Sequence, residues 1–207
     1  SSQSRGLGDV YKRQIMGNPE DHYSVPSREE IDARVARFET LEVLESQKNS
    51  DLPVEVMDII YSRALKPVLT RGEDPNAPFG DAAPIQGAAG ITITYAVCPP
   101  GTGPSLHSHR ATYETFTVMR GRFEFKCGPN GEETVVLDEC DTFSVPPGVF
   151  RAFRNISEVE GVLQVLISGG VHDSRDIVFP KSTADEIAAF DPSYVDWFRD
   201  NAGLRFE

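Results

Sequence analysis

With 207 residues, 39% of them apolar, the chain is long enough for one domain with a sizeable core. Its 20 basic and 32 acidic residues give a formal charge of −12, which repels phosphate backbones and excludes nucleic acid as an expected partner. No apolar run reaches membrane-spanning length, nothing reads as a signal peptide, and three cysteines without a CxxC form no disulfide framework, so a cytoplasmic setting is expected.

Residues 4–14 are the translation of a sequencing-library transposon adapter, so residues 1–14 read as an assembly artefact and Met16 as a plausible start. Without Arg5, Lys12, Arg13 and Asp9, 17 basic and 31 acidic residues remain and the charge is −14. Residues 15–26 are polar, and His22 there reads as a solvated tail residue. Ser27 followed by Glu30 is a capping-box signature. Ile31, Val35, Phe38, Leu41 and Leu44 then recur at helical spacing, which predicts an amphipathic helix from Arg28 to Gln47. Residues 15–50 form the tail and helix, 51–170 a barrel, and 171–207 a helical extension.

Residues 53–65 fit strand or helix equally, and 66–70 read as extended. Gly, Pro, Asp and Ala make 71–85 a long loop. From Gly90 onward the pattern is β, with strands at 91–97, 106–109, 114–119, 122–126, 134–137, 142–145, 149–154 and 162–168. Short strands with Gly/Pro turns argue a sandwich or barrel. Ser182 is a candidate N-cap for a helix over 184–190, and Asp191-Pro192 starts another over 193–201.

The densest chemistry lies between Gly101 and Asn155. His107 and His109 share one face of a strand, because side chains alternate with period two. Glu114 follows at an odd separation, so residues 110–112 must bend if it is to join them. Two imidazoles and a carboxylate with open positions suit Fe(II), and Mn(II) fits nearly as well. Strand parity puts Phe116 and Val118 on the face of Glu114, and Val149 and Phe153 on the face of Arg151. With Tyr95 and Gln164 they outline an apolar, aromatic pocket for a small organic acid or aromatic molecule. Cys98 and Cys127 read as small buried apolar residues, and His172 with Asp173 as a loop pair near the rim.

Gly101, His107, His109, Glu114 and Gly121 match every fixed position of the first cupin motif: Gly, five residues, His-x-His, three or four residues, Glu, six residues, Gly. Pro146, Gly148 and Asn155 match the second, in which Cys140 replaces the opening Gly and Arg151 the fourth-ligand His. Over roughly residues 90 to 168 the chain resembles the cupin superfamily. The resemblance implies an all-β, double-stranded β-helix (jelly-roll) barrel, here with flanking N- and C-terminal helices. It also implies His107, His109 and Glu114 as metal ligands, and it carries the expectation of a metal-dependent, dioxygenase-like oxidoreductase.

Arg151 cannot ligate, because a guanidinium has no lone pair to give. Three readings stay open. It clamps a substrate carboxylate, as a catalytic and substrate-binding residue. It pairs with Glu114 and replaces the metal, leaving a binding or sensor module, or a metal-free epimerase or lyase. Or it turns to the surface. A homodimer is expected from the prevalence of C2 assemblies and the apolar helix face.

Overall fold

The computed structural model describes residues 26–70, 82–86, 90–169 and 176–207. Two units separate at residue 33. In the first, α1 (Arg28–Asp32) is a five-residue helix held by the capping box foreseen in the sequence: Glu30 N–H donates to Ser27 Oγ, and Ser27 N–H to the Glu30 carboxylate at 2.6 Å.

The long helix over 28–47 does not form. After α1 come a 3₁₀ turn (Phe38–Thr40) and a single turn, α2 (Glu45–Lys48). The apolar residues at helical spacing serve separate contacts. The Phe38 ring lies edge-on to Tyr95, 5.4 Å away, beneath the Lys66 ammonium. Leu41 is buried, while Ile31 and Val35 stay exposed. Leu44 N–H bonds to the Leu65 carbonyl, which ties this stretch to a strand rather than to its own helical turn.

The second unit is a jelly roll. The segment left ambiguous at 53–70 divides into α3 (Val54–Ile60) and β1 (Ala64–Thr70), with Pro67 at a register shift where its missing N–H is tolerated. Strands β2 (Ile85–Gln86), β3 (Ile91–Cys98), β4 (Ser108–His109), β5 (Tyr113–Arg120), β6 (Phe123–Cys127), β7 (Glu133–Leu137) and β8 (Thr142–Val145) follow. Then come β9 (Arg151–Asn155), β10 (Gly161–Ser168) and β11 (Ile177–Phe179). One sheet has the order β2-β1-β3-β10-β5-β8. Opposite it stand β7-β6-β9 and β4-β11-β12, where β12 is Arg205–Phe206. A two-way backbone bridge between His107 and Arg151, at 3.0 and 2.9 Å, joins these two ladders.

Two cores result. Inside the barrel, Phe116, Phe123, Phe125 and Phe153 pack with Val118, Val145 and Leu163. The second core caps one end. In it the apolar face of α3 meets Phe179, Ile187 of α4 (Lys181–Ala188), and Val195 and Phe198 of α5 (Pro192–Ala202). Helix α5 starts at Asp191-Pro192 as the sequence indicates, the Asp191 carboxylate accepting from Ser193 N–H at 2.8 Å. Helix α4 begins at Lys181, before the expected Ser182 cap, and Pro180 caps it without a side-chain bond.

Cys140, standing where the second cupin motif has glycine, keeps glycine's backbone. Its φ of 73° is the one positive value among the described non-glycine residues, in the turn closed by Asp141 N–H on the Asp138 carbonyl. An L side chain there costs about 1–2 kcal/mol. Cys140→Gly is therefore expected to raise the melting temperature by roughly 2–8 °C. An unchanged or lower midpoint in a thermal melt would refute that strain.

Candidate metal centre

His107 and His109 leave the chain beside the bridge to Arg151, on consecutive inward positions of one strand. The second motif's turn reinforces them: Gly148, with φ 79°, donates its N–H to the His109 carbonyl at 2.7 Å. The bend needed before Glu114 exists, and an aspartate outside both motifs builds it. Asp176 accepts Arg110 N–H on its backbone carbonyl at 2.9 Å and Ala111 N–H on Oδ1 at 2.6 Å. With the bend made, β5 turns Glu114 inward opposite Ile167 and Val145.

Both imidazoles are fixed by their outer nitrogens. His107 Nδ1 lies 2.9 Å from the Ser105 carbonyl, which can only accept. His109 Nδ1 lies 3.1 Å from Asp176 Oδ2, to which Thr112 Oγ1 also donates. Burial alone would push the Asp176 carboxyl up; the hydrogen bonds from His109, Thr112 and Ala111 outweigh it and hold it at about 2. It is thus an anion at neutral pH, and His109 donates Nδ1–H to it. A neutral ring so anchored carries its lone pair on Nε2, the atom 3.8 Å (His107) and 3.7 Å (His109) from Glu114 Oε2. Burial, with Arg151 nearby, lowers the His107 pKa and keeps that ring neutral.

Arg151 is wholly buried, which excludes the surface reading. Its Nε–H donates to Glu114 Oε2 at 2.8 Å. Nη2 is 2.7 Å from the same oxygen but lacks the alignment of a second hydrogen bond, and Nη1 reaches the Val149 carbonyl at 3.2 Å. Burial pushes the Glu114 carboxyl up, but opposing interactions, led by the Arg151 guanidinium, outweigh it and hold the carboxyl far below the usual carboxylate range. The carboxylate is therefore ionised, and the guanidinium holds the same oxygen, Oε2, that faces the two imidazoles.

The three donor groups lie within 4.8 Å of one another and all are buried. This group could bind a metal. Bonds of about 2.0–2.2 Å require the donors to draw together by roughly an ångström. The outer-nitrogen anchors are those that metal-bound histidines use, so the residues fit the ion that the sequence motif implies. Such a set offers two neutral nitrogens and one anionic oxygen, which suits first-row divalent ions.

A cavity of about 200 Å³ opens from these groups. Thr94, Ala96, Phe153, Val165 and Ile167 of the barrel line it, and Ile60, Tyr61 and Phe179 close it from the cap. Six expected wall residues stand elsewhere, among them Val118 in the filled barrel core and Val149 packed against it. Tyr95 and Gln164, paired across β3 and β10, face outward, Tyr95 against Phe38. Phe116 is fully buried in the filled barrel core and does not reach the cavity. Arg151 does not line it either: Glu114 does, so the guanidinium braces the carboxylate and is not set to clamp a ligand. Cys98 is buried and Cys127 half-buried, neither near the donors' inner atoms. His22, His172 and Asp173 lie outside the described residues.

Asp176 and Thr94 escape sequence reasoning. Asp176 is 67 positions from the histidine it holds, and no spacing rule connects them. Among the described residues no helix is long and apolar enough to cross a membrane.

No curated protein matches the chain. Among solved structures, the cupin domain of Schizosaccharomyces pombe Cnp3 is 16% identical, with a TM-score of 0.39, over 51% of this chain and 65% of that one. A protein of Bacillus halodurans is 16% identical, with a TM-score of 0.40, over 42% and 69%. A predicted oxalate decarboxylase of Thermotoga maritima is 20% identical, with a TM-score of 0.35, over 38% and 66%. Residues 94–167, just over a third of the chain, match the family model described as a cupin domain, and they hold all three donor residues. That match identifies residues 94–167 as a cupin domain.

Proposed function

We propose that the protein is a metal-dependent cupin enzyme acting on a small organic anion in the apolar cavity. One observation carries the reading: His107 and His109 both spend Nδ1–H on fixed acceptors, leaving both Nε2 lone pairs toward Glu114. His107, His109 and Glu114 would hold Fe(II) or Mn(II), and oxidation of the dioxygenase type is the reaction that such an open two-His, one-carboxylate set suits. When bound, the ion supplies Lewis-acid polarisation of a substrate oxygen. The protein's own residues do the rest. Arg151 keeps Glu114 ionised and oriented, Asp176 fixes the tautomer of His109, and Phe153, Val165, Ile167 and Phe179 exclude water. A homodimer in the cytoplasm belongs to the same proposal.

Metal analysis of the purified, reconstituted protein should find about one ion per chain, lost on His107→Ala or His109→Ala. Substoichiometric Fe, Mn, Co, Ni and Zn after reconstitution would sink the reading.

The Glu114–Arg151 contact favours a second reading, a metal-free binding module or an epimerase or lyase. There Arg151 alone neutralises the carboxylate, and a free imidazole Nε2 serves as base. In that case chelators leave ligand binding and turnover unchanged.

A further inference from the structure

His107, His109 and Glu114 are all buried, so whatever binds them reaches them through the cavity they line. Most of its wall belongs to the barrel and the cap. One part differs: Leu44, Ser46 and Gln47, in or beside α2, line it too. Among the described wall residues Ser46 is the single exposed one, and Leu44 and Gln47 are half-buried. The cavity therefore meets solvent at α2.

This stretch is fastened unlike its surroundings. Leu41 and Leu52 are buried, but none of residues 42–51 between them is. Helix α2 is a single turn, too short to be stable by itself. The ion pairs of Lys48 with Glu42 and Glu45 stay within the segment. Among the described residues its hydrogen bonds to the barrel are three, all around the start of β1. The Gln47 side chain makes two of them, Nε2–H donating to the Ser62 carbonyl at 2.8 Å and Oε1 accepting Leu65 N–H at 2.7 Å. Leu44 N–H adds the third, on the Leu65 carbonyl at 3.1 Å. Strand β2 covers β1 only at Leu69 and Thr70, so at Leu65 the segment occupies the strand edge in its place. A stretch with no buried side chain, held by a few hydrogen bonds, belongs to the least stable part of a fold, from which lids are drawn.

We propose that residues 42–51 form a flap over the cavity mouth, hinged at Leu41 and Leu52 and latched by Gln47. Release of the Gln47 amide from Ser62 and Leu65 opens the way to the donors. Under the metal-dependent reading, on which this route rests, a metal ion must pass the flap before any substrate can. A latch sets the rates of entry and exit alike and leaves the equilibrium affinity unchanged.

The test loads the full chain with Co²⁺, confirms loading by metal analysis, and follows release into excess chelator. Gln47→Ala removes two of the three hydrogen bonds and should speed loading and release about 10-fold, the order set by one or two hydrogen bonds. Ser46→Trp puts a large ring at the mouth and should slow both. The Co²⁺ dissociation constant should be the same in wild type and both variants, whereas damage to the centre itself would change it. Hydrogen exchange of the metal-free wild type gives a second readout: the Leu44 and Leu65 amides should exchange faster than those of β10 at the sheet centre. Release at the wild-type rate in both variants, or Leu44 and Leu65 amides as slow as those of β10, would overturn the flap while the metal reading stands. Failure of Co²⁺ to load overturns both.

Discussion

Replacing Arg151 with methionine is expected to cost about 3–5 kcal/mol of stability and to lower the melting temperature by roughly 10 °C. The guanidinium is wholly buried, and its Nε–H is bonded to a carboxylate that is itself only 7% exposed. Removing it leaves Glu114 buried without its main counter-charge, and burial then drives that carboxyl upward. The wild-type contribution has a definite pH sense. Because the folded protein holds Glu114 below its ordinary value, the stabilisation is full above the unfolded carboxylate value of about 4.3. It fades as the pH falls beneath that value. Changing both partners, Arg151→Met with Glu114→Leu, removes both charges and should recover most of the loss. Urea unfolding of the two single variants and the double variant checks this. A single-variant loss below about 1 kcal/mol, the value of an exposed pair, would show that the pair does not stabilise the barrel.

The second large effect belongs to Asp176. Asp176→Asn is expected to weaken metal binding 10–100-fold, the usual consequence of removing the group behind a histidine ligand. An amide can present either its NH₂ or its oxygen to His109 Nδ1. When it presents the NH₂, the imidazole proton is driven to Nε2, the atom that must ligate. The measurement is a competition titration with a chelating indicator, with His107→Ala as the reference for complete loss. Stability gives an independent readout. The Asp176 carboxyl is held at about 2 against an ordinary value of about 3.9, so its stabilising contribution is full above pH 4. It is lost as the pH falls through 2. Wild type and variant should differ in acid unfolding at pH 5 and converge near pH 2. Equal metal affinity in the two proteins would refute the positioning role.

These residues also show what a sequence discloses. The strands from β3 to β10 were legible because alternation and Gly/Pro turns are local signals. The donor triad was legible because its spacing is fixed within eight residues. The 28–47 helix failed although its periodicity was real. Phe38, Leu41 and Leu44 are drawn to separate partners across the barrel wall, and those tertiary contacts override the local pattern. Strand β3 misled in another way. Ile91, Thr92, Ile93, Thr94, Tyr95 and Ala96 are compatible with either face inward, and the larger side chains suggest the wrong one. Phe38 covers Tyr95 from outside, so the small residues Thr94 and Ala96 face in, and their smallness leaves room for the cavity. Asp176 carries no signal, because nothing short of the folded chain brings β11 to β4.

The bridge between His107 and Arg151 makes assembly of the centre self-checking. Arg151, Phe153 and Asn155 alternate inward along β9, opposite Cys127, Phe125 and Phe123. A slip of one residue would turn Phe153 to water and bring Arg154 inside. The same slip would take the guanidinium from Glu114 and break the pairing that holds the histidine strand. A chain that misplaces its chemistry must therefore also misplace its hydrophobic core.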